Sequence, residues 1–109
     1  MRNKTMAKYI FVYHGGTMPE SESEAAAVMG KWQAWFGSIG SSIIDGGNPV
    51  GQSSTVHGDG SVTDDGGANP ISGYSLIEAE SQDAAVEIAK GCPILEGGGS
   101  VEVAITIDM

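Results

Sequence analysis

Hydrophobic positions run without a break near the start of the chain, and this run predicts a strand. Residues 7–14 read AKYIFVYH, and aromatic and β-branched side chains in such a run are typical of strands. Successive side chains of a strand point to opposite faces, and here both the odd-numbered and the even-numbered ones are apolar. We therefore expect both faces of this strand to be covered. Gly15 and Gly16 end it.

A different spacing follows and predicts an amphipathic helix that ends at Gly40. Apolar side chains recur three or four residues apart in this segment, which places them in one stripe along a helix. The stripe consists of Val28, Met29, Trp32, Trp35, Phe36 and Ile39. Ser21 or Ser23 is the expected N-cap, and Glu24 would complete a capping box with Ser21. The stripe indicates that one side of this helix packs against other apolar residues.

Shorter strand and helix patterns fill the rest of the chain. They predict, in order, a short strand before Gly46, a hairpin with strands at 53–57 and 61–63, a strand at 72–79, a helix that begins after Ser81 and is ended by Gly91 and Pro93, and a strand at 101–107. Apart from the hairpin, the order of elements is the βαββαβ pattern of the ferredoxin-like class.

The expected fold is therefore α+β, an antiparallel sheet with both helices on one face. No further segment remains to cover the second face of the sheet, although the first strand is apolar on that face too. We expect this face to pack against the same face of a second copy, which makes a homodimer. Residues 1–6 are expected to form a polar tail, and residues 7–109 a single domain.

The charge balance excludes one class of partner. The chain has 109 residues with 14 Asp and Glu against 5 Lys and Arg, and only Lys31 and Lys90 are basic after Tyr9. A nucleic-acid-binding protein needs a basic face to displace counterions, so we expect no nucleic-acid partner. We expect no membrane partner either, because anionic lipids repel an acidic chain and no apolar run is long enough to span a bilayer.

The single cysteine, Cys92, is expected to be a small buried residue, and it fits a reducing, cytoplasmic location.

Several stretches together resemble the YCII-related family, in particular its DGPF-type branch. They are KYIFVYHGG at 8–16, WQAWFGSIG at 32–40, IIDGGNP at 43–49, GYSLIEAESQDAAVEIAKGCP at 73–93 and GGSVEV at 98–103. The resemblance covers about residues 6–107. It implies a ferredoxin-like fold that assembles as a dimeric α+β barrel, which agrees with the order of elements.

The resemblance says less about activity. YciI-type members of the family carry a histidine–aspartate pair for which an enzymatic role has been proposed. The first helix of this chain has no histidine, and Gly91 and Cys92 stand where the aspartate is expected, so the pair is not carried over. The DGPF signature is also incomplete, since TDDGGANP at 63–70 retains Asp65 and Gly66 but lacks the Pro-Phe that follows.

Candidate chemistry centres on His14 at the end of the first strand. A histidine can act as a general base if a carboxylate comes near, and Asp45 is the expected partner. Further side chains are candidates for lining a ligand pocket, with Lys31 as the counter-charge for an anionic ligand. These candidates are Lys31, Trp32, Trp35, His57, Asp65 and Tyr74. We expect no metal site and no cofactor, because no motif has the required spacing.

Three functions remain open. The first is a small dimeric protein that binds a small molecule in a pocket between helix and sheet. The second is a small enzyme in which His14 and a nearby carboxylate perform acid–base chemistry. The third is a structural or interaction module without a pocket. Saturable binding of a small molecule separates the third from the others, and loss of turnover in His14→Ala with binding retained separates the second from the first.

Overall fold

Six strands and two helices make up the chain in a computed structural model that describes residues 6–16 and 19–108. The elements are β1 (Ala7–His14), α1 (Glu22–Ile39), β2 (Ile43–Asp45), β3 (Thr55–Val56), β4 (Val62–Thr63), β5 (Ile71–Ala79), α2 (Gln82–Ala89) and β6 (Ser100–Ile105). Short 3-10 turns follow α1 at Gly40–Ser42 and α2 at Pro93–Gly97. Except for Met6, the predicted polar tail lies outside the described residues.

The main sheet is antiparallel, and its strand order is β2-β5-β1-β6. Strands β1 and β5 form the centre, where Tyr9 lies opposite Ile77 and Ile10 lies opposite Leu76. Strands β3 and β4 pair only with each other and form a separate hairpin. The molecule is therefore α+β, and its mainly antiparallel sheet with two helices is compatible with a ferredoxin-like arrangement.

Both helices pack against the same face of the sheet, as the sequence pattern predicts. Tyr9, Phe11 and Tyr13 of β1 point to this face and are buried there with Trp35 of α1 and two alanines of α2. The ring of Trp35 stacks near that of Phe11 with a centroid distance of 6.4 Å. Ala85 and Ala89 let the backbone of α2 approach the sheet closely, because their side chains are short. These contacts form the core.

The predicted caps define where the helices begin and end. Ser21 Oγ accepts a hydrogen bond from the backbone N–H of Glu24 at 3.1 Å, and Ser81 Oγ accepts one from that of Ala84 at 3.1 Å. Gly40 ends α1 with a φ of 49° and donates its N–H to the carbonyl of Phe36. The capping box is modified, since the carboxylate of Glu24 accepts from the backbone N–H of Glu20, not from that of Ser21.

Some strand boundaries differ from the prediction. The hairpin strands span two residues each, because they pair with each other and with no other strand of the described chain. Strand β6 stops at Ile105 instead of residue 107, because its regular pairing with β1 ends where Tyr9 lies opposite Ile105. Beyond this point, Thr106 still donates its N–H to the carbonyl of Lys8 at 2.9 Å.

The second face of the sheet carries apolar side chains that no element of the described chain covers. Ile10 and Val12 of β1 lie on this face beside Tyr74 and Leu76 of β5, and all four are only half-buried. The radius of gyration is 15.8 Å, against about 13 Å for a compact domain of this length. One face of the sheet thus has the expected cover within the chain, and the other does not.

Cys92 lies in the core directly after α2, as predicted, and is almost completely buried. Burial raises the pKa of its thiol to about 11 because the thiolate would lose its hydration there. The thiol is therefore neutral at physiological pH and acts as a small apolar side chain.

Candidate functional site

An apolar cleft lies between α1 and one edge of the main sheet. Its volume is about 410 Å³. One wall is formed by α1 through Ala25, Val28, Met29, Trp32 and Phe36. The facing wall is formed by residues 46–49 and 72–74 with Tyr13, and Ile94 and Pro19 complete the lining. The cleft falls in the size range of small-molecule sites in proteins.

The cleft exists because only the second half of α1 packs against the core. Trp35 is 7% exposed, whereas Val28 is 39% and Met29 is 59% exposed, although all three belong to the same apolar stripe. The stripe predicted from the sequence is therefore divided by the fold. Its C-terminal half fills the core, and its N-terminal half faces an open space.

Three aromatic rings in contact with one another belong to the cleft lining. Trp32 meets Tyr13 edge to face with a centroid distance of 5.1 Å and lies against Phe36 at 5.8 Å. The Tyr13 hydroxyl donates to Ser75 Oγ at 2.7 Å, and Ser75 Oγ donates to the carbonyl of Gly46 at 2.7 Å. Burial raises the pKa of Tyr13, so the phenol stays neutral and this chain of hydrogen bonds holds the ring in place.

The loop after β2 forms the wall opposite α1, and glycine makes its path possible. Gly47 has a φ of 72°, and a Cβ there would lie 1.8 Å from the carbonyl oxygen of Tyr74. Asp45 Oδ1 accepts the N–H of Gly47 at 2.8 Å and supports the turn. The next residues then run along β5, where Tyr74 donates its N–H to the carbonyl of Asn48 at 3.2 Å. The loop is thus fixed to the sheet from both sides.

His14 lies on the opposite face of the sheet from the helices, and Glu102, not Asp45, is the carboxylate that it contacts. Its Nε2 lies 3.0 Å from Glu102 Oε1, and its Nδ1 lies 3.2 Å from the carbonyl oxygen of Pro70. Since a carboxylate and a carbonyl only accept, both ring nitrogens need a proton to make both bonds. The bond to Glu102 accordingly raises the pKa of His14, and backbone acceptors at Pro70 and Asn69 add to this effect.

We predict that His14 makes the stability of the protein depend on pH. A raised folded-state pKa means that the stabilisation is complete below about pH 6.5, the unfolded value, and is lost as pH rises through the folded value. Glu102 is largely exposed, so its contact with His14 adds at most about 1 kcal/mol to the free energy of unfolding. Urea unfolding would measure the free energy of unfolding of both proteins. The wild type should exceed His14→Gln in this free energy by more at about pH 5.5 than at about pH 9.

His57→Gln is the matched control, because it removes the other imidazole, which lies in the exposed hairpin and contacts Thr63 Oγ1 at 3.1 Å. This variant should keep the pH dependence of the wild type. The interpretation of His14 would be wrong if His14→Gln destabilised the protein equally at both pH values.

The fold brings together only some of the residues that the sequence pattern selected. Trp32 and Tyr74 line the cleft, although Tyr74 stands opposite Val12 at a position of β5 that belongs to the second face of the sheet. Trp35 lies in the core and donates its indole N–H to the carbonyl of Ile88 at 3.3 Å. Asp65 accepts the N–H of Gly67 in an exposed turn outside the cleft lining.

Lys31 is also outside the cleft lining. Its ammonium group forms an ion pair with Glu96 Oε1 at 2.7 Å and so links α1 to the turn after α2. His57, in the hairpin, is likewise away from the cleft. The candidates thus fall into three places: the cleft, the core and the exposed surface.

Several cleft residues were missed as site residues. Val28, Met29 and Phe36 were assigned to the stripe, and their position in the stripe is the signal that could have shown that some of it stays uncovered. Glu102 lies on the face of β6 away from the helices, since it stands opposite Val12 of β1. Its pairing with His14 depends on the register between β1 and β6, which places Val12 opposite Glu102 and which no local pattern encodes.

Two classes of site find no support in the described part of the chain. Over residues 6–16 and 19–108, no group of three or more His, Cys, Asp or Glu side chains is arranged to hold a metal ion. Over the same residues, no helix is both long and apolar enough to cross a membrane.

Comparison with protein-family models finds no match to this chain, and comparison with curated proteins finds none either.

Proposed function

We propose that this protein binds a small organic molecule in the cleft between α1 and the sheet edge. The observation that carries the proposal is the open half of the apolar stripe, where Val28 and Met29 stand exposed over a space of about 410 Å³. Apolar side chains that the chain itself leaves uncovered in a concave site favour a ligand. A ligand in this space would continue the packing that Trp35 begins in the core.

The proposal includes membership of the YCII-related family and assembly as a dimeric α+β barrel. The sheet order β2-β5-β1-β6 and the placement of both helices on one face support a ferredoxin-like unit. Support for the dimer comes from the half-buried apolar side chains on the second sheet face and from the extended shape of the single chain. Two sheets that pack face to face would cover these side chains on both copies.

We also propose a cytoplasmic location, which is supported by the single buried cysteine.

The acid–base alternative has weaker support. A general base needs a free lone pair, whereas both ring nitrogens of His14 face acceptors of the protein itself. Asp45, the expected partner, holds the N–H of Gly47 instead. The cleft and His14 also lie on opposite faces of the sheet, so a ligand in the cleft would not meet the imidazole. The third function, a module without a pocket, is disfavoured by the cleft.

We predict that Ala25→Leu weakens ligand binding and that Ala26→Leu does not. Both alanines are exposed on α1, but only Ala25 lines the cleft, where a leucine would take up space that a ligand needs. The test compound is naphthalene-2-carboxamide, an uncharged aromatic amide. Quenching of tryptophan fluorescence and calorimetry would measure its affinity for the wild type and for both variants. We expect a loss of about tenfold or more in Ala25→Leu, which corresponds to about 1.4 kcal/mol.

Ala26→Leu serves as the control for any general effect of leucine on the helix, since it should bind as the wild type does. Equal affinity in both variants would place the binding site elsewhere. Absence of saturable binding in the wild type would count against a ligand cleft and in favour of the module without a pocket.

A further inference from the structure

We infer that the ligand of the cleft is an uncharged, flat and mostly apolar molecule. This inference rests on the proposed function of the cleft and adds the chemical class of what it binds. Three observations support it: the side chains that form the wall, the partners that nearby charged side chains already have outside the cleft, and the net charge of the chain.

No side chain that is charged at neutral pH belongs to the cleft wall within the described residues. The lining contains no Asp, Glu, Lys, Arg or His. The two nearby charged candidates are engaged elsewhere, Lys31 with Glu96 at 2.7 Å and Asp45 with the N–H of Gly47 at 2.8 Å. An ionised ligand would give up its hydration on entering the cleft and would find no counter-charge there.

Anions face a second obstacle. The formal net charge of the chain is −9 at pH 7, which lowers the concentration of anions near its surface. Glu22 and Glu24 lie in the first turn of α1, next to the end of the cleft that Ala25 lines. Both effects act against a carboxylate or a phosphate and leave a neutral molecule unaffected.

The shape and polarity of the wall favour a flat molecule with a neutral polar group. The rings of Tyr13, Trp32 and Phe36 offer edges and faces against which an aromatic ligand packs well. The polar side chains of the wall are neutral as well, because they belong to serine, tyrosine, asparagine and tryptophan. Among the buried side chains of the described residues, Ser72 Oγ has no hydrogen-bond partner, and Ser72 belongs to this wall.

Three compounds of nearly the same shape test the inference. They are naphthalene-2-carboxamide, which is neutral, 2-naphthoate, which is anionic, and 2-naphthylmethylammonium, which is cationic. We expect the wild-type protein to bind the carboxamide at about pH 7 and to bind 2-naphthoate at least about tenfold more weakly, because the carboxylate has no partner in the cleft. The cation should also bind more weakly than the carboxamide, because it loses its hydration in the cleft, although aromatic faces and the acidic charge of the chain reduce this loss.

Met29→Lys provides a second measurement. Met29 is exposed in the cleft wall, so a lysine there is tolerated by the fold and brings a positive charge to the site. This variant should improve the affinity for 2-naphthoate relative to the carboxamide. Ala26→Lys, on the outside of the same helix, should leave the ratio of the two affinities near that of the wild type.

The results separate this inference from the function on which it rests. If 2-naphthoate or the cation binds as tightly as the carboxamide and Ala25→Leu weakens that binding, the cleft binds ligands but the inferred class is wrong. If the compounds bind equally to wild type and Ala25→Leu, the site is elsewhere and the proposed function fails. If none of them binds, both the class and the function are overturned.

Discussion

We expect Leu76→Asp to separate the proposed homodimer into monomers. Leu76 lies on the uncovered face of β5, opposite Ile10 of β1, at the centre of the four-stranded sheet. A symmetric interface would contain the substitution twice, and each carboxylate would lose its water without gaining a partner. The penalty is several kcal/mol for each buried carboxylate, which is enough to abolish most dimers at micromolar concentration.

Sedimentation equilibrium or light scattering would measure this effect as the mass of the particle in solution. Ile107→Asp is the matched control, because Ile107 is 80% exposed beyond the end of β6 and should leave the dimer intact. Far-ultraviolet circular dichroism should show that Leu76→Asp remains folded, since Leu76 is only half-buried in the single chain. A wild-type protein of monomeric mass, or a dimer unaffected by Leu76→Asp, would contradict the sheet-to-sheet interface.

We expect Gly47→Ala to cause the second large effect, a loss of both stability and ligand binding. The new methyl group would lie 1.8 Å from the carbonyl oxygen of Tyr74 and 2.7 Å from its carbon, and both are backbone atoms that cannot rotate away. The loop would have to leave β5 and give up the hydrogen bonds that Asn48 and Gly46 accept. We estimate a loss of about 3 kcal/mol in the free energy of unfolding, since strain and hydrogen-bond loss add up.

Gly51→Ala is the control for this substitution. Gly51 lies in the same loop, and a Cβ there would have no atom within 4 Å, so its effect should stay within about 0.5 kcal/mol. Urea unfolding gives the stabilities, and binding of naphthalene-2-carboxamide reports on the cleft wall. Equal stability of the two variants would mean that the loop does not hold its close contact with β5 in solution.

Local patterns were enough to predict most of the secondary structure. The predicted strand at 7–14 matches β1, because its unbroken apolar run at 9–13 has few alternatives when glycines follow it. Ser21 and Ser81 cap the two helices as predicted, since a serine hydroxyl satisfies backbone N–H groups that no helix can satisfy by itself. The hairpin and the last strand lie where the pattern predicts them but are shorter, because regular pairing covers only two residues of each hairpin strand and ends at Ile105 in β6.

The candidate site was much harder to predict than the fold. Trp32 and Trp35 have the same residue type and lie in the same stripe, yet one lines the cleft and the other fills the core. A helical pattern shows which side of a helix is apolar but not how far along its length the sheet supports it. His14 was correctly placed at a strand end, but its contact with Glu102 arises between residues 88 positions apart.

By itself, the sequence determined the α+β class, the order of elements and the helix caps, because each depends on short-range periodicity and local hydrogen bonding. Only the tertiary structure decided which half of α1 stays uncovered, that Gly47 passes against Tyr74, and that Glu102 is the partner of His14. These features depend on the register of paired strands and on the position of a helix over a sheet edge. Both result from packing among residues distant in the chain, so the cleft appears only once the elements are assembled.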